Sequence, residues 1–215
     1  MCHRFWGVLV AIVGVLLASG FSSGPVEASA VTVPDRPSVV IRTYTQQESA
    51  GNIHAARRTA RGILQGAGIH VAWLECGLPA AATAALDACT QPLQSNELVV
   101  RIVSAGTLDS RPHVDALGFA FVDTDAGGGW LATVYADRVA LMAKGAGVDT
   151  AALMGRTIAH EIGHLLLGTN QHASHGLMRA LWSDADLRRN RATQWLFGGK
   201  EGEVMRRGIA GRFRS

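Results

Sequence analysis

The chain has 215 residues, 48% of them hydrophobic and 17% charged, and a formal net charge of +3. It contains no internal repeat, heptad pattern or low-complexity stretch, which excludes coiled coils and repeat arrays. After the first 30 residues nothing approaches the roughly 20 apolar residues of a spanning helix, which excludes a multi-span membrane protein.

Met1–Ala30 reads as a secretory signal peptide: Arg4 supplies the positive charge, Phe5 to Ala18 the apolar core, and Ala28-Ser29-Ala30 the small-x-small cleavage pattern. The expected product begins at Val31 and is secreted or periplasmic, with no membrane anchor after cleavage; an uncleaved anchor is the alternative. Residues 31–215 are enough for a single domain with a real core. Cys2 falls in the signal, leaving Cys76 and Cys89, which in an oxidising compartment most simply pair with each other. Closing that loop should stabilise the fold by roughly 3 kcal/mol. The rival reading, two further metal ligands, matches no common zinc spacing.

Ser38 to Thr43 (SVVIRT) is β-branched and predicts a strand. Gln46 to Gln65 predicts a helix, its stripe traced by Ile53, Ala56, Ala60 and Ile63/Leu64 and its end marked by Gly66 and Gly68. His70 to Leu74 and Glu97 to Val103 predict two more strands. Leu117 to Val122 and Trp130 to Tyr135 flank DTDAGGG and predict a hairpin; Asp123 and Asp125 there hint weakly at a calcium loop, but the closing Glu such a loop needs is absent. A helix is expected from about Thr150 to Leu167 with Asp149 as N-cap, and a last one from Asp184 to Arg207, broken at Gly198-Gly199. The order is that of an α/β fold. Leu187 to Ser215 holds eight Arg or Lys against Glu201 and Glu203, read as a solvated helix face; no nucleic-acid motif accompanies it, and no nucleic-acid partner is expected.

The chemistry concentrates in His160 to Met178, HEIGHLLLGTNQHASHGLM. His160 and His164 are four residues apart on a predicted helix, so both imidazoles face one side and can reach a single ion. Zinc takes such nitrogens at about 2.0–2.1 Å. Glu161, beside the first His, can serve as general base toward metal-bound water. Among the other histidines, His54, His70 and His113 carry no such spacing and read as surface or core groups.

This stretch resembles the metzincins, zinc peptidases that carry HExxHxxGxxH followed by a methionine turn. The resemblance implies a mixed twisted sheet, an active-site helix, a methionine turn and a C-terminal helix. It also implies Zn2+ as cofactor and a peptide or protein substrate lying extended against the edge strand, here supplied by the Leu117–Tyr135 hairpin. The spacing departs from the family: its glycine would fall at Leu167 and its third His at Asn170, whereas this chain has Gly168 and His172. Gly168 can close the helix in the left-handed conformation. Asn170 is a poor zinc ligand. His172 leaves five residues before Met178 and His175 only two, so His172 is preferred as third ligand and His175 is the alternative or a neighbouring supporting group. Met178, in Gly176-Leu177-Met178, matches the methionine-turn residue, with a core methionine as the plain alternative.

The expected function is therefore a secreted zinc metalloendopeptidase, acting as a monomer, with Glu161 catalytic and His160, His164 and His172 on the metal. Tyr135 is a candidate oxyanion donor, against the plainer reading of a packed strand residue. The rival readings are a non-catalytic secreted zinc-binding module, a zincin whose third ligand is Asp184, Asp186, Glu201 or Glu203, and an interaction protein with incidental histidines.

Overall fold

The computed structural model describes residues 37–45, 50–77, 88–105 and 116–212. These lie in one compact unit, Pro34–Ser215. The predicted signal segment Met1–Ala30 and His113 fall outside the described residues.

Alternating apolar side chains make the first strand: in β1 (Ser38–Thr45), Val39, Ile41 and Thr43 share one face and are buried. α1 (Ala50–Gly66) packs on that face through Ile53, Ala56, Ala60, Ile63 and Leu64, the stripe expected from the 3.6-residue period. β2 (His70–Glu75) then returns parallel to β1, as a helical crossover permits. β3 (Glu97–Val103) runs parallel on β1's other side. β5 (Gly128–Tyr135) pairs parallel with β3, and β4 (Gly118–Asp123) folds back antiparallel on β5. The result is a five-stranded mixed sheet in the order β2-β1-β3-β5-β4, with β4 outermost, and the fold class is α/β as expected. In the β4–β5 turn, Asp123 Oδ1 accepts the backbone N–H groups of Asp125 and Ala126 at 3.0 and 2.9 Å, and Gly127 has φ 68°. The aspartate thus closes a hairpin turn.

A helix absent from the sequence reading follows, α2 (Ala136–Ala146). Its buried positions are Ala136, Val139, Ala143 and Ala146, and alanine contrasts too weakly with its surroundings to show a period; Tyr135, at the N-cap, makes no side-chain capping bond. The next helix, α3 (Thr150–Leu167), has the expected bounds. Asp149 Oδ1 accepts from Ala152 N–H at 2.6 Å at its start, and Gly168, with φ 67°, donates its N–H to the His164 carbonyl at its end. Fifteen of its 18 residues are buried, because α3 lies between β4 and β5 on one side and α1, α2 and the last helix on the others. Fully burying each of Ile158, Ile162 and Leu165 is favourable by about 1.5–3 kcal/mol. Gly155 permits the closest approach: a Cβ there would run into the Ala56 carbonyl and Thr59 of α1.

The expected last helix is instead three pieces: α4 (Asp184–Arg189), a 3-10 turn at Ala192–Trp195, and α5 (Gly199–Arg212). One interruption falls, as expected, at the glycine pair, where Gly198 precedes α5 and Gly199 opens it; a second, unexpected one falls at Asn190, left-handed at φ 44°. Asn190 Oδ1 accepts from the buried Arg156 of α3, whose guanidinium lies 4.1 Å from the Trp195 ring centre. Tertiary anchors therefore set this second break. The basic tail divides accordingly. Arg206 donates to the Ala67 carbonyl at 2.5 Å and Arg212 to those of Gly129 and Leu165 at 2.6 and 3.2 Å, while Arg188 and Arg207 form exposed i,i+4 pairs with Asp184 and Glu203. Cys76 and Cys89 are joined in a disulfide.

Candidate metal centre

α3 presents His160 and His164 one turn apart, with ring centres 4.7 Å apart and both residues buried. Each ring is held from behind. His160 Nδ1 lies 2.9 Å from the Leu177 carbonyl and His164 Nδ1 2.8 Å from the Thr169 carbonyl. A carbonyl only accepts, so in each ring Nδ1 carries the proton and Nε2 presents a lone pair. The two Nε2 atoms lie 3.1 Å apart. Two lone pairs at that separation have no proton to share and repel; a cation between them removes the conflict. Nitrogens at 2.0–2.1 Å from a tetrahedral ion stand about 3.3 Å apart, close to what is found. The residues present fit a metal.

The chain leaves α3 through Gly168, where a Cβ would collide with Gly127, and turns back beneath the helix. His172 comes round to face the pair: its ring is stacked on His160 (centres 5.3 Å, 25° between planes) and edge-on to His164 (4.9 Å, 86°). One ligand atom from each of His160, His164 and His172 lies within 4.8 Å of the others, so the three can hold one ion. His175 is not in this cluster; it is exposed and its Nδ1 contacts Ser174 Oγ at 3.1 Å. Nor are the acids weighed as alternatives. Asp186 pairs with Arg179 and caps α4, Asp184 pairs with Arg188, Glu201 accepts the Gly198 N–H at 2.6 Å, and Glu203 pairs with Arg207.

The turn closes through the Ala173 N–H, which donates to the Met178 carbonyl at 2.8 Å, and the Leu177 N–H, which donates to the Leu196 carbonyl at 3.0 Å. Met178 is 1% exposed, and its thioether packs on α3 at Gly163, midway through the motif. It lies against the helix floor between the two histidines, where a Cβ on Gly163 would come within 2.7 Å of its Sδ.

Glu161 opens into the same cleft as the histidines, a space of about 660 Å3 bounded by Leu117, Gly118–Ala120 of β4, Met142 of α2, and Arg179–Trp182 beyond the turn. Glu161 is 5% exposed, and its carboxyl rests on the β4 backbone at Gly118. Burial pushes its pKa up to about 8. Burial, and then the neighbouring His164, lower that of His160 to about 3; burial likewise lowers those of His164 and His172. All three rings are therefore neutral and ligand-competent at neutral pH.

Tyr135 does not line the cleft; the Arg138 guanidinium sits 4.4 Å from its ring centre. His54 is exposed on α1 and His70 on β2. Several wall residues escaped the sequence reading. Gly118 carries no local sign that a carboxylate rests on it, and Arg179 and Trp182 lie in an irregular segment without periodicity. Only the placement of Arg179 next to Met178 marked it.

No protein-family model and no curated protein matches the chain. Among solved structures it is similar to a zinc-dependent peptidase from Methanocorpusculum labreanum, with a TM-score of 0.49 and 16% identity over 77% of this chain and 99% of that one. It is also similar to archaemetzincin from Methanopyrus kandleri, with a TM-score of 0.47 and 16% identity over 84% of this chain and 99% of the other. Identity at this level assigns no residue a role, and the reading of the site rests on its own geometry.

Proposed function

We propose that the chain is a zinc metallopeptidase of metzincin type, exported and acting on peptide bonds within the cleft beside β4. One observation carries it: two Nε2 lone pairs face each other at 3.1 Å with both Nδ1 protons committed to carbonyls, and His172 completes the set. His160, His164 and His172 would hold the ion. When bound, zinc supplies a Lewis acid that lowers the pKa of water and polarises a carbonyl. The remaining work falls to this chain. Beside the bound cation Glu161 would be held ionised in spite of its burial, and would take the proton of the attacking water on its carboxylate and return it to the leaving amine. The Leu177 and Thr169 carbonyls fix the tautomer and orientation of the two buried rings, which keeps Nε2 toward the site. The largely apolar wall limits water in the cleft and strengthens the electrostatics there. Export rests on the Met1–Ala30 pattern and on the Cys76–Cys89 bridge, which suits an oxidising compartment.

The test is zinc per chain, measured in the parent, in His172→Ala and in Glu161→Gln, together with cleavage of a peptide library. We expect about one zinc in the parent, little in His172→Ala and the full amount in Glu161→Gln. Turnover in Glu161→Gln should fall by roughly 10²–10⁴-fold. A zinc-replete parent that cleaves nothing would instead be a binding module. Unchanged turnover in Glu161→Gln would overturn the mechanism.

A further inference from the structure

The cleft wall is mostly apolar, with Leu117, Phe119, Met142 and Leu181 contributing, the last 84% exposed. Among the described residues lining it, the only acid is Glu161, whose burial pushes its pKa up to about 8, and the only Lys or Arg is Arg179. Arg179 follows Met178 directly and is pinned. Its Nε donates to the Gly176 carbonyl at 3.2 Å and its Nη1 to Asp186 Oδ2 at 3.1 Å. The third nitrogen, Nη2, is buried without an acceptor. On the same wall the Trp182 ring stands edge-on to His160, 5.5 Å between centres, and its indole N–H also lacks an acceptor. Of the nine unpartnered buried side-chain N and O atoms among the described residues, these two alone belong to residues that line the cleft. Asp186 engages only Nη1 of the guanidinium, through an Oδ2 that also accepts the Ser183 hydroxyl at 2.7 Å and the Ser183 N–H at 3.3 Å, closing the capping box of α4. A guanidinium already fixed at two nitrogens loses little freedom on binding, and its natural complement is a carboxylate.

Resting on the peptidase reading above, we propose that Arg179 is a specificity residue. It receives a carboxylate of the bound peptide, either an acidic side chain near the scissile bond or the chain's own C-terminus, while the apolar wall receives the neighbouring side chains. The geometry assigns the site to acidic peptides, where an uncharged wall alone would accept any apolar sequence. The carboxylate supplies the acceptor that Nη2 lacks once the Arg179 side chain turns that buried nitrogen toward the cleft it lines.

The test measures binding apart from cleavage. Four acetylated tripeptides are titrated by calorimetry into the zinc-loaded full chain in the Glu161→Gln background, where turnover does not interfere. They are dialanyl-glutamate amide, dialanyl-glutamine amide, trialanine free acid and trialanine amide. An acidic side chain as the natural ligand gives the glutamate peptide a Kd roughly tenfold or more below the glutamine peptide; a C-terminal carboxylate gives the same advantage to the free acid over its amide. In Arg179→Met that preference disappears while the two uncharged peptides bind as before. Arg179→Lys keeps the cation and loses the fork, so it retains part of the preference and serves if the Met variant fails to fold. Equal binding of charged and uncharged peptides, no binding of any, or a preference that survives Arg179→Met because the metal holds the carboxylate would each overturn the proposal. So would an equal loss for all four peptides in Arg179→Met, which marks a purely structural arginine. Zinc content and cleavage by the parent are scored separately: a chain that prefers carboxylate peptides through Arg179 yet cleaves none fails as a peptidase and not in this respect.

Discussion

At the scale of single residues, the site is shaped as much by what is missing as by what is present. Gly118 has no side chain, and Glu161 uses the space: a Cβ there would fall 2.5 Å from Oε1 and 2.8 Å from Cδ. Gly118 is not held at positive φ, so Gly118→Ala is a steric test alone. We expect that variant to keep its zinc, since no metal-facing histidine is touched, and to lose turnover by about tenfold or more, since a misplaced base costs steeply. Full turnover in a zinc-loaded Gly118→Ala protein would mean that the carboxylate is free to choose another position. The neighbouring histidines show the complementary logic. Their backbone acceptors lie at 2.9 and 2.8 Å and leave only one nitrogen of each ring for chemistry.

At the scale of elements, α3 and the turn beneath it behave as one unit. Gly163 is where they meet: a Cβ would approach Met178 Sδ and Phe197 Cε1, both at 2.7 Å. Met178 is buried and Phe197 half-buried against the core, so both cannot retreat easily. Overpacking of this kind costs about 1–3 kcal/mol, so Gly163→Ala should lower Tm by several degrees in calorimetry. It should also weaken zinc binding, because Leu177, next to Met178, carries the carbonyl that orients His160. An unchanged Tm would mean that the turn yields without strain. The contrast with Gly145, where a Cβ meets nothing, provides the control: Gly145→Ala lies within α2 and should be neutral or slightly stabilising.

At the scale of the whole molecule, burial of the site makes stability depend on pH and on cross-linking. His160 has a folded pKa near 3 against an ordinary 6.5, so it favours folding above 6.5, and that contribution is lost as the pH falls toward 3. His164 and His172 are shifted in the same direction. Glu161 is opposite. Raised from 4.5 to about 8, it favours folding below 4.5 and loses that contribution as the pH rises toward 8. The metal-free protein should therefore show a Tm maximum or plateau between about 4.5 and 6.5 and decline on both sides. Zinc should reduce the alkaline decline, because a nearby dication favours the charged carboxylate. A Tm that rises steadily through pH 8 in chelator would contradict this. The disulfide acts elsewhere in the fold. Arg42, 3% exposed, donates to the Gln91 and Pro92 carbonyls at 2.7 and 3.2 Å and to Glu97 at 2.5 Å, tying the segment after Cys89 to β1 and β3. Cys76→Ser/Cys89→Ser should lose roughly 3 kcal/mol in urea unfolding. With the bridge remote from the cleft lining, its zinc stoichiometry should not change.

The sequence by itself determined whatever depends on neighbours a few residues away. The 3.6-residue period and the Asp149 cap set the bounds of α3, the i,i+4 rule put His160 and His164 on one face, and Gly168 had the freedom to end the helix left-handed. β-Branched composition likewise marked β1, alternation β2, and the turn-rich DTDAGGG the hairpin. Tertiary structure decided the rest. The position of His172 against the pair follows from hydrogen bonds across the turn to Met178 and from Leu177 to Leu196, none of which has a period to read. The break at Asn190 depends on Arg156, 34 residues away, and the alanine face of α2 becomes apparent only when α3 covers it. Glu161 against Gly118, and Trp182 edge-on to His160, are meetings of segments with no local relation. Helix geometry is written into adjacent residues by short-range hydrogen bonding and sterics, whereas the walls of the cleft are chosen by packing, which joins residues regardless of their distance along the chain.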